Sequence, residues 1–124
     1  YFAKILAPKF ETSFFLLGWT PATLDAHNMI QNLAYCRKEG QTKGLFNVGG
    51  WCNPRVDELS DKIQVETDQA KRAALVKQAW TQTIDEAAYI PLHQQTIAWG
   101  VRDSIAKLEA HAGNEFLWFH VMMK

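Results

Sequence analysis

Apolar positions along the chain follow two different rhythms. Around residues 13–19, "SFFLLGW", they form a short continuous run bounded by Gly and Pro, the pattern of a strand buried on both faces. After the Thr20-Pro21 turn the rhythm becomes helical. Asp25 stands where an N-cap belongs, opening a predicted helix over 26–36 with Met29, Leu33 and Cys36 along its inner face. Residues 37–50, "RKEGQTKGLFNVGG", break the pattern with four glycines and read as a loop with a brief extended piece at 45–48. Asn53-Pro54 then starts a second helix, with Asn as cap and Pro in the first turn, and Val56, Leu59 and Ile63 give it an apolar stripe. Asp68 caps a longer helix to about residue 88, with Ala73, Val76, Trp80, Ile84 and Ala87 on one face and Lys71, Arg72 and Lys77 toward solvent.

The remaining segments are extended or short. Phe2, Ile5 and Leu6 predict a helical turn that Pro8 ends. Residues 89–101, "YIPLHQQTIAWGV", read as one or two strands with Pro91 at an end or edge. Residues 102–113 predict a weak helical turn or loop, and "EFLWFHVMM" reads as a final strand. Strands interleaved with helices in this order predict an α/β or α+β unit without an obvious closed sheet of its own.

Composition narrows the function. The chain has 124 residues, 48% of them hydrophobic, which suits one domain with a core. Thirteen basic residues balance thirteen acidic ones, so the basic excess of a nucleic-acid binder is absent. No apolar run approaches the roughly 18 residues of a membrane span. A helical pattern already under way at Tyr1 predicts that the chain was cut from something longer. Five Trp and seven Phe predict apolar surface made to pack against a part that is absent.

Chemistry-bearing motifs are sparse. His27, His93, His111 and His120 lie too far apart for an i, i+4 metal pair, so packing or surface roles are expected and no metal or cofactor. There is no nucleophile elbow and no phosphate-binding glycine loop. Cys36 and Cys52 flank the glycine-rich loop; they read either as buried thiols or, in an exported chain, as a disulfide worth roughly 3 kcal/mol. Asp25 reads as a helix cap, and also as a carboxylate at a strand end, where α/β proteins hold ligands. A thiol-dependent enzyme using either cysteine with a histidine, and an independent α/β interaction domain, are the alternative classes.

The order of the pieces resembles a known family. Gly18-Trp19 followed by Asp25, Asn53-Pro54 with Asp57 and Leu59, Asp68 with Arg72, and Ile90-Pro91-Leu92 are similar to the C-terminal part of the extracellular solute-binding proteins of family 5. These are the periplasmic dipeptide and oligopeptide binders of ABC importers. The resemblance implies a non-enzymatic binding protein in the periplasm and, as fold class, α/β: a fragment of the second lobe of a type II periplasmic-binding-protein fold, a mixed sheet flanked by helices. Residues 1–107 would be part of that lobe, and 108–124 would cross back toward a missing N-terminal lobe. The implied partners are a peptide or related small solute, the ABC permease subunits and the missing lobe. The family's anchoring acid for the peptide α-amine maps onto Asp25; Trp19, beside the strand end, is a pocket wall or core, and Asn28 is a further ligand-binding candidate. The turn "TPATLDAHN" keeps Asp25 and Asn28 but not the family's other acids, so peptide length and charge preference do not carry over. Some relatives form a disulfide near these cysteines, which implies a Cys36–Cys52 bridge.

Overall fold

Two capped helices organise the molecule. In the computed structural model, Asn53 caps α3 (Pro54–Val65) by accepting from Arg55 N at 2.9 Å, and Asp68 caps α4 (Gln69–Asp85) by accepting from Lys71 N at 2.9 Å. Both caps stand where the sequence placed them. α4 ends in a left-handed residue, Ala87 (φ 53°), with Ala88 N donating back to Thr83 O. The structure describes residues 1–6, 11, 12, 14–21, 23–94, 96, 98–107, 122 and 123.

A short helix, α1 (Phe2–Ile5), opens the chain; α2 (Ala26–Met29) follows after a long extended stretch and continues directly into a π-helical turn, Ile30–Ala34. The expected single helix over 26–36 thus widens midway. Asn32 Nδ2 donates to Asn28 O at 2.8 Å, the type of side-chain bond that competes with a helix's own ladder. The buried face shifts by one residue, to Ile30 and Ala34 rather than Met29 and Leu33, and Cys36 is buried as expected.

The core is Ile30, Ala34, Val56, Leu59, Ile63 and Ala79, with Trp51, Leu75, Val76 and Trp80 packed against it. The stripe expected of α3 is the one observed. On α4 the buried face is set by Ala79 and Thr83, and the expected Ala73, Ile84 and Ala87 are exposed. Among the described residues no helix is long and apolar enough to cross a membrane.

The expectation of an α/β fold with a mixed sheet flanked by helices is overturned. The chain is helical, and strand pairing among the described residues is confined to β1 (Ile105–Lys107) antiparallel to β2 (Met122–Met123). Residues 14–19 and 89–94 run without strand partners, and 45–48 form turns. A strand is completed by hydrogen bonds from a neighbour, and no neighbour stands beside these segments among the described residues. β1 falls where a helical turn or loop was expected. Residues 108–121, with most of the expected final strand and crossing segment and with His111 and His120, lie outside the described residues.

Candidate functional site

The candidate residues converge on the N-terminus of α2. Leu24, in the left-handed region at φ 55°, closes a turn by donating its N–H to Pro21 O, and delivers Asp25 to the cap position in extended backbone. Asp25 Oδ1 accepts from His27 N at 2.9 Å, as capping predicts.

Asp25 has a second partner that the sequence reading did not provide. Arg72, from the first turn of α4, grips it with both arms: Nη1 to Oδ1 at 3.2 Å and Nη2 to Oδ2 at 2.7 Å. Its Nε donates to Ile63 O at 3.3 Å, so one guanidinium ties the start of α2, the end of α3 and α4 together. Arg72 had been expected on the solvent face; its partner is 47 residues away in sequence, where no helical periodicity reports it. Burial pushes the Asp25 carboxyl upward, but the Arg72 bonds, the His27 N–H and the surrounding positive charge outweigh it, and its pKa lies below the ordinary value.

His27 is buried, with its ring Nε2 3.0 Å from Ser60 O and 3.1 Å from Ser60 Oγ. A carbonyl oxygen only accepts, so Nε2 carries the proton and donates. Burial lowers the His27 pKa, and the Ser60 bond only partly offsets this. Asp25, His27 and Ser60 have the residue types of a hydrolytic triad, but Asp25 bonds the backbone of His27 rather than its ring. Ser60 is itself enclosed within α3. The three are not arranged as a triad: Asp25 caps α2 and the His27 ring packs against Ser60.

Trp19 and Asn28 do come together. Trp19 Nε1 donates to Asn28 Oδ1 at 3.0 Å, and the Trp19 ring lies 5.0 Å from that of Phe46 at 59°. Phe46 went unnoticed in the sequence because it stands in the aperiodic loop. Gly44 N and Phe46 N donate to Gln31 O and Asn32 O, which seats the loop against the π turn. The result is a partly exposed aromatic corner carrying one amide, beside the Asp25–Arg72 pair. Two open depressions of about 580 and 550 Å³ lie elsewhere, on the outer face of α4 and at the α3–α4 corner, and none of these residues lines them.

Cys36 and Cys52 are joined by a disulfide with Cα atoms 4.6 Å apart. Neither cysteine is free, so a thiol-dependent mechanism has no thiolate in this state. Among the described residues no group of three or more His, Cys, Asp or Glu is placed to hold a metal ion.

With the geometry in view, the comparisons add one relative. A stretch of 56 residues, 45% of this chain, is 42% identical to the oligopeptide-binding protein OppA of Bacillus subtilis (strain 168). That stretch spans 10% of OppA's length. No family model and no solved structure matches.

Proposed function

We propose that this chain is a segment of the substrate-binding component of an ABC peptide importer. That component captures peptides or related small solutes outside the cytoplasmic membrane and delivers them to the permease. The similarity to OppA carries this reading. The disulfide fits an exported protein, because thiols in the cytosol are kept reduced.

In this reading the Trp19–Phe46 corner and Asn28 form one wall of the ligand site, and the remainder of the protein supplies the other. Asp25 takes the ligand's α-ammonium under a constraint. A carboxylate offers about four acceptor positions; His27 N and Arg72 occupy three, which leaves one on Oδ2. Arg72 also neutralises the charge, so Asp25 recognises the ammonium as a shared partner rather than as a free counter-ion.

Calorimetry on the full-length protein that carries this chain tests the reading. Di- and tripeptides with free amines are expected to bind, Asp25→Asn to weaken them, and N-acetylated peptides to be indifferent to the substitution. Absence of binding across a mixed di- to pentapeptide set would overturn the function. Equal loss for free and acetylated peptides would overturn only the role of Asp25. The 124-residue chain alone is expected to bind far more weakly than the full-length protein.

A further inference from the structure

Asn47 is fully buried in the loop between the two cysteines. Its Nδ2 donates to Tyr35 O at 2.9 Å and to Trp51 O at 2.6 Å, which uses both of its N–H groups. Its Oδ1 is buried with no partner among the described residues, a cost that a merely space-filling amide has no reason to bear. The two carbonyls it holds belong to the residues immediately before Cys36 and Cys52. One side chain thus bridges the same two strands of backbone that the disulfide bridges.

The surroundings are built to allow this. Asn47 N donates to Gly44 O at 3.0 Å, and Gly44 sits at φ 69° so close to Tyr35 that a Cβ there would lie 2.5 Å from Tyr35 O. A side chain at 44 would clash with that carbonyl, the one that accepts from Asn47. On the other side Asp57 Oδ1 accepts from Cys36 N at 2.8 Å, and Arg37 Nη1 donates to Asn47 O at 3.2 Å.

We propose that Asn47 is a positioning residue for the disulfide: a non-covalent clasp that closes the 36–52 loop, brings the two thiols together for oxidation, and keeps the loop closed when the bond is reduced. The oxidation it assists uses a small-molecule disulfide. The exposed Cys52 thiolate attacks it, forming a mixed disulfide and expelling one small thiolate. The buried Cys36 thiolate then attacks the Cys52 sulfur, forming the Cys36–Cys52 bond and expelling the second. The two cysteines lose two electrons and their protons, and the small disulfide becomes two thiols. Asn47 acts on the second step by raising the local concentration of one thiol at the other.

Equilibration of the chain in oxidised and reduced glutathione, with the dithiol and disulfide forms quantified after acid quenching, reads this directly. Asn47→Ala and the near-isosteric Asn47→Leu are expected to lower the effective concentration of the pair by roughly five- to thirty-fold, the scale of one to two neutral hydrogen bonds. A fall of less than threefold would overturn the proposal. Should both variants fail to fold, hydrogen exchange on the Cys36→Ser/Cys52→Ser chain decides. Persistent protection of the Asn47 side-chain amide protons supports a clasp that stands without the covalent bond; free exchange in a folded chain rejects it.

Discussion

The pair α3–α4 closes a core around part of its apolar side chains, whereas the extended segments 14–21 and 89–94, richer in apolar residues, leave most of theirs exposed. Leu59 on α3 is 1% exposed, whereas Phe14 is 83% exposed and Leu16 65%. The difference lies in where each kind of element finds its hydrogen bonds. A helix satisfies its backbone locally, so two capped helices and the π turn at Ile30–Ala34 complete a core within a few dozen residues. An extended segment needs partners from elsewhere. It is pinned here at scattered points instead: Tyr1 Oη donates to Leu16 O, Trp19 Nε1 to Asn28 Oδ1 at 3.0 Å, and Tyr89 Oη to Leu33 O at 2.6 Å.

The largest expected effect tests that contrast directly. Leu59→Ala opens a cavity in the core and is expected to cost about 2–5 kcal/mol by urea denaturation. The same truncation at Leu16 is expected to stay within about 0.5 kcal/mol. A loss of 2 kcal/mol at Leu16 would show that the extended segment belongs to the same cooperative core.

What the sequence made legible follows the same division. Asn53-Pro54, Asp68 and the Val56–Leu59–Ile63 stripe are local signals, and local structure obeys them. The run at 13–19 has the composition of a strand, but composition does not supply the neighbouring strand. Arg72 and Phe46 were misplaced or missed for a related reason, since the first acts across 47 residues and the second sits in a loop without period. Of the site, Asp25 as cap was readable from the turn; the Trp19–Asn28 bond and the guanidinium that occupies Asp25 were not.

A middle-sized effect comes from His27, which joins α2 to α3. His27→Leu removes the donor to Ser60 O and is expected to cost about 1–3 kcal/mol. Its folded pKa lies below the ordinary 6.5, so between those two values the unfolded chain binds more protons than the folded one. Stability from this residue is therefore full above about pH 6.5 and falls as pH drops below it, down to the folded pKa. Arg72 and Lys43 add to the depression of this pKa and Asp25 opposes it. The difference in stability between the parent and the Leu variant, measured from pH 8 to 5, is expected to shrink as pH falls. A constant difference would mean that His27 contributes by shape alone.

The smallest expected effect is the coupling of Asp25 to Arg72, an ion pair that links the turn at the end of the extended segment to α4. Both side chains are about one-third exposed, at 37% and 29%, so solvent screens the attraction and a double-mutant cycle is expected to give about 1 kcal/mol or less. Asp25→Asn is the suitable single change because its remaining oxygen still caps α2; Arg72→Gln removes the guanidinium while keeping part of the aliphatic stem. The coupling should fall further in 1 M salt, where the Debye length is about 3 Å. A coupling well above 2 kcal/mol that ignores salt would mean that the pair is desolvated and dedicated to holding the fold. Asp25 would then have little capacity left for a ligand's ammonium, so this small number bears on function more than the larger ones do.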